Sequence, residues 1–149
     1  MVGTAHPTTM LFSAKAEYAC VAMIELAARH ADPKPARLAD IADKHGIPQR
    51  FLVQILLDLK NDGLVVSTRG AAGGYALAKI PDDITLFDVL NAIDPIEQTA
   101  RQNDHLQPTV YVQNVRAVWA RVVEAQHALL KVTTLADLVA QSQGLQYVI

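Results

Sequence analysis

A single cysteine, Cys20, in 149 residues excludes an internal disulfide framework and, by itself, a zinc site built from thiolates. No apolar run reaches the roughly 18 residues that cross a bilayer, and the opening MVGTAHPTT has no basic region followed by an apolar stretch. These absences predict a cytoplasmic protein with no membrane partner. Charged residues are sparse at 19% while hydrophobic residues reach 51%, which is too apolar for a disordered chain. The length suits one domain with a core, or a small domain plus an assembly element. Enzyme signatures are missing too: there is no G-x-S-x-G, Walker or dinucleotide fingerprint, and His6, His30, His45, His105 and His127 form no constellation with a nucleophile. Nothing here argues for an enzyme.

A strong positive charge is also absent, since the formal net charge is −2. It is unevenly placed, however. Residues 10–79 hold nine Lys/Arg against seven Asp/Glu, or +2, whereas residues 80–149 hold four against eight, or −4. The more basic half contains VVSTRGAAGGYALAK, residues 65–79. Two short β-forming runs, 65–67 and 75–77, flank RGAAGG, and its three glycines allow a tight reversal with positive φ, so a β-hairpin is expected. Its tip carries one long cation, Arg69, beside five residues almost without side chains. Such a tip can enter a minor groove, where narrow stretches concentrate negative potential; the alternative is a purely structural turn.

Upstream, Ser13 precedes AKAEYACVAMIELAARH, which lacks Gly and Pro and is apolar nearly all round, so a buried helix capped by Ser13 is expected. The segment ADPKPA breaks it. In RLADIADKHGIPQRFLVQILLDLKNDGL, Leu38, Ile41 and Ala42 form the inner face of a short helix that Gly46 ends. Pro48 opens a second helix whose buried stripe is Phe51, Leu52, Ile55, Leu56 and Leu59, leaving Gln49, Arg50, Val53, Gln54 and Asp58 on the opposite face. Two short helices joined around a glycine make a helix-turn-helix, and the hairpin that follows makes it winged.

Beyond the hairpin, Thr85 with Asp88 three residues on predicts a capped helix with Leu86, Val89, Leu90 and Ile93 inward. Residues 94–109 lose periodicity and read as a loop. A long helix is expected over about 110–132, with Val115, Trp119, Val122, Gln126 and Leu129 in a 4-3-4-3 heptad seam. At 1.5 Å per residue it would run roughly 35 Å, longer than a small winged domain needs, so packing against a second copy is expected. Thr134 with Asp137 opens a last short helix, LADLVAQ. The fold class is therefore mainly α with a small β-hairpin: a flexible tail at 1–9, a winged helix-turn-helix domain at 10–94, a loop at 95–109, and a dimerisation helix with a C-terminal helix at 110–149.

In order and spacing, MLFSAKAEYACVAMIELA, IPQRFLVQIL, GLVVSTRGAAGGY, ITLFDVLNAID and the late TLADLV resemble the IscR/NsrR/CymR family of bacterial winged-helix transcription regulators, well over about 10–94 and more loosely over 110–140. The resemblance implies a homodimer joined through the long helix, acting on a roughly palindromic operator in double-stranded DNA, most often as a repressor. It also implies that Arg69 probes the minor groove and that residues 95–109 match the family's sensor region. Two departures stand out. Members that sense iron or nitric oxide carry three cysteines before the long helix, and this chain has none there, so no iron–sulfur cluster or other cofactor is expected. Val53 stands where several relatives have Glu, so the operator cannot be transferred from them.

Residue by residue, Gln49, Arg50 and Gln54 are the candidates for base edges, since Arg pairs with guanine and Gln with adenine. Ser67, Thr68 and Lys79 are the candidates for phosphate contacts beside Arg69. For each of these, plain solvation is the alternative. Cys20 in an apolar helix is either a small core hydrophobe or a redox-sensing thiol. Asp94, Glu97, Asp104 and His105 share the loop without any ligand-like spacing, so a solvated loop is expected there and no metal. Trp119 is expected to anchor a core or dimer interface. Two other readings stay open: a winged-helix module that binds protein, and a redox or metal sensor at Cys20 or in the loop. For the regulator itself, a small-molecule effector of unknown identity stays open.

Overall fold

The computed structural model describes residues 12–94 and 105–148, with side chains to residue 144. The expectations for the 1–9 tail and for Glu97 and Asp104 fall outside the described residues. The element order is α1 (Ala14–Ala28), α2 (Leu38–His45), α3 (Gln49–Asn61), β1 (Val65–Thr68), β2 (Gly74–Leu77), a 3-10 turn (Pro81–Asp83), α4 (Leu86–Ile93), α5 (Val110–Val132) and α6 (Leu135–Val148).

Local chemistry sets most of these boundaries. Ser13 caps α1 by accepting from the Ala16 amide at 3.1 Å. Gly46 ends α2 in the left-handed region at φ 69, which spares a side chain the steric cost of that turn. Thr85 and Asp88 exchange both bonds of a capping box at the start of α4. The core gathers Ala19, Met23 and Leu26 of α1 against Leu52, Ile55, Leu56 and Leu59 of α3, with Ile41, Val65, Ile84 and Val89 closing it. Phe51 departs from the expected stripe. It is 42% exposed because position 51 lies at the edge of the buried arc, where its ring tilts against Tyr18 with centroids 6.2 Å apart.

The last helix was expected to be short, but α6 runs 14 residues to Val148. Thr134 and Asp137 form a second capping box, and Thr85 and Thr134 are bridged antiparallel. Leu86 donates to the Thr133 carbonyl and Leu135 to that of Ile84, each at 2.9 Å. The two boxes therefore stand side by side, and Leu135 enters the winged-domain core fully buried. This junction anchors the C-terminal end of α5. Nearby, the rings of His127 and Phe87 stand nearly perpendicular with centroids 5.4 Å apart, and the Lys131 ammonium sits 4.7 Å from the centre of the Phe87 ring.

Among the described residues one charged side chain is buried. Glu25 of α1 accepts from Arg29 at 2.6 Å and faces Lys44 at 2.9 Å and His45 at 2.8 Å, tying α1 to the end of α2. Burial pushes its carboxyl up, but the hydrogen bonds from Arg29, His45 and Lys44 outweigh this and hold it at about 2, against an ordinary 4.5. A depressed folded pKa stabilises the fold fully above the unfolded value, and that stability is lost as pH falls towards the folded one. The contribution is on the order of 3 kcal/mol. Urea titrations should show stability falling between about pH 4.5 and 2, and Glu25→Gln should flatten that slope while costing a similar amount at neutral pH. A Gln variant with the parent's acid slope would refute the assignment.

Candidate nucleic-acid interface

Helix α3 and the hairpin meet through Leu59, Leu64 and Val65, all buried, so the two project as one body. The outer face of α3 exposes Gln49, Arg50, Val53 and Gln54. Arg50 holds its guanidinium 4.9 Å from the centre of the exposed Phe51 ring, a contact that limits its rotamers. Gln54 donates from Nε2 to Oδ1 of Asp58 at 3.0 Å. Asp58 in turn pairs with Lys15 of α1 at 3.1 Å.

In the hairpin Val65 pairs with Leu77, Val66 with Ala76, Ser67 with Tyr75 and Thr68 with Gly74. Ser67, Thr68, Arg69 and Lys79 are exposed. Arg69 makes no hydrogen bond or ion pair among the described residues, so its guanidinium is available to a partner.

The glycines at the tip have reasons of their own. Gly70 has φ 103, outside the range of ordinary side chains. A Cβ on Gly73 would meet the Thr68 carbonyl oxygen at 2.1 Å. A Cβ on Gly74 would meet that of Ala36 at 2.4 Å. Ala36 forms an isolated antiparallel bridge to β2, giving its amide to Tyr75 at 2.8 Å and receiving Tyr75's at 2.7 Å. Bareness at 73 and 74 is thus imposed by the wing's own backbone as well as by any approaching ligand. Gly74→Ala should cost about 2 kcal/mol or more and speed amide exchange at Tyr75; unchanged exchange would contradict the close approach.

Sequence reasoning missed Arg37. Its Nη2 donates to the Ala71 carbonyl at 2.5 Å, holding the tip from the start of α2. No local signal marks this contact, because the partners lie 34 residues apart. The Gln54 and Asp58 pair was legible at helical i, i+4 spacing, but its tether to Lys15 was not.

The remaining candidates lie elsewhere. Cys20 is half-buried, and its thiol is pushed up to about 11 by burial and then by Glu17, so it stays protonated and a poor nucleophile near neutral pH. It borders a mostly apolar cavity of about 470 Å³ between α1, α4 and α5, together with Phe12, Ala16, Leu86, Leu90 and Leu130. Asp94 accepts from the Ser13 hydroxyl at 3.1 Å, and His105 is exposed. Among the described residues no group of three or more His, Cys, Asp and Glu is arranged to hold a metal ion. None of their helices is long and apolar enough to cross a membrane. Val115, Trp119, Val122 and Leu129 stand exposed along α5, Gln126 is half-buried, and no residue of α5 is buried within one copy.

The family model described as "Rrf2: Iron-dependent Transcriptional regulator" matches residues 12–141. The HTH-type transcriptional regulator CymR of Bacillus subtilis is 36% identical over 138 residues, covering 92% of this chain and 95% of that protein. The solved structure of CymR, titled the global cysteine regulator of B. subtilis, superposes with a TM-score of 0.74 at 34% identity, over 87% of this chain and 96% of that one. The structure of T. potens IscR gives the same TM-score at 30% identity, over 91% and 90%.

Proposed function

Because the chain belongs to the Rrf2 family of transcriptional regulators, we propose that it binds specific duplex DNA as a homodimer and represses transcription from a roughly palindromic operator. In this reading α3 enters the major groove, where Gln49, Arg50 and Gln54 meet base edges. Arg69 reaches the flanking minor groove, and Ser67, Thr68 and Lys79 take phosphates. The long helix α5 pairs with its copy and sets half-site spacing. The observation that carries the reading is the placement of an exposed polar face on α3 and an unpaired Arg69 on one rigid winged body. The protein works in the cytoplasm and catalyses no reaction.

Iron dependence belongs to the family's description, and the donor set here does not fit an iron–sulfur cluster. Such clusters take several thiolates, whereas this chain has Cys20 alone, in α1, with its thiol held protonated. The regulator therefore answers to another signal. A small apolar effector suits the cavity beside Cys20, whose volume falls within the range of ligand pockets.

The deciding experiment is an anisotropy titration against DNA from upstream of the protein's own gene, at low and physiological salt, with unrelated duplex as competitor. Tight binding that falls with salt and survives the competitor is expected, because neutralised phosphates release counterions. Binding no tighter than to the competitor would overturn the reading in favour of a protein-binding winged module.

A further inference from the structure

We infer that Asp58, tethered by Lys15, is a positioning residue that fixes the amide of Gln54 for recognition of adenine. The inference rests on the DNA-binding reading above and deepens it.

The argument starts from what a carboxylate can accept. Ionised Asp58 offers only acceptors, so the amide nitrogen of Gln54, and never its oxygen, can face it. The Nε2 to Oδ1 distance of 3.0 Å is that of a full hydrogen bond. The other carboxylate oxygen, Oδ2, is held by the Lys15 ammonium at 3.1 Å from a different helix. Lys15 therefore favours the rotamer in which Asp58 faces Gln54, and of the two amide orientations only the one with Nε2 towards the carboxylate is hydrogen-bonded. What remains on Gln54 is one acceptor, Oε1, and one further N–H. Adenine presents the complement in the major groove, the N6 amino donor and the N7 acceptor.

The ion pair itself explains little else. Its side chains are 38% and 24% accessible, and exposed pairs of this kind contribute little to stability. A reversed amide would offer two donors outward, which suit O6 and N7 of guanine instead. The tether thus selects between two purines at one position in each half-site.

The test is selection of bound duplexes from a pool with a randomised core, followed by sequencing, for the parent and four variants. The parent is expected to enrich a palindromic site with adenine at one position per half-site. Gln54→Ala should erase that preference, about a 5- to 100-fold change. Asp58→Ala and Lys15→Met should weaken it by roughly 3- to 10-fold, the entropic cost of ordering a free side chain. Asp58→Asn is the decisive variant. It keeps the size of Asp58 but exchanges one acceptor oxygen for an amide donor and gives up the charge facing Lys15, so it can meet Gln54 either way round, and guanine should rise at the same position while overall affinity holds. A merely structural Asp58 would leave that base preference unmoved in all three variants, and this result would overturn the inference alone. A parent that enriches no common sequence would overturn the DNA-binding reading as well.

Discussion

Arg69→Ala should lower affinity for the specific duplex by about 10- to 100-fold, equivalent to roughly 1–3 kcal/mol, with the melting temperature unchanged. The second half of this expectation follows from the structure: Arg69 is exposed and makes no hydrogen bond or ion pair among the described residues, so its loss costs the fold nothing. The first half follows from what a guanidinium does in a narrow groove, where the potential of two phosphate backbones converges. Lys79→Ala is the natural comparison. A single phosphate contact should weaken all duplexes alike and reduce the salt slope by about 1, whereas Arg69→Ala should fall hardest on sites flanked by A·T pairs. Titrations of both variants on A·T-flanked and G·C-flanked duplexes would separate the two. Equal, small losses across all duplexes would reduce the wing to an electrostatic handle.

Trp119→Glu should convert the protein to a monomer and lower affinity for a palindromic site by about 100-fold or more, the loss of linkage between two half-sites. Trp119 is 60% exposed and Leu129 65% exposed on a helix with no buried residue of its own. Val115, Val118, Val122 and Val123 continue that apolar surface, which is more than a lone chain ordinarily leaves to water. A carboxylate in the middle of a paired seam would be desolvated without a partner. Within one copy the same substitution is harmless, because the side chain already faces solvent. Sedimentation and a DNA titration of the variant check both parts. A variant that stays dimeric and binds as tightly as the parent would place the subunit contact elsewhere.

The winged domain was legible because its signals are local. Gly46, Pro48 and Gly63 punctuate the chain at turns, Ser13 and Thr85 cap helices through their own hydroxyls, and the apolar spacing of α3 names Leu52, Ile55, Leu56 and Leu59, all of which are buried. The same periodicity misassigned Phe51. A stripe read from spacing cannot tell whether the neighbouring helix extends far enough to cover its edge, and α1 covers this ring only on the Tyr18 side. At the wing, composition announced a hairpin and an exposed cation. It gave no hint that Gly74 is required by the Ala36 backbone.

The sequence by itself determined the elements, their order and the polar face of α3, since each depends on residue type or on neighbours within one or two turns. Only the tertiary structure decided which distant groups meet. Arg37 holds the wing tip, Lys15 steadies Asp58 behind Gln54, and Glu25 reaches Lys44 and His45 at the end of α2. Leu135 returns the chain after α5 to the core. These contacts join residues many positions apart, and their partners are chosen by packing that no local pattern encodes.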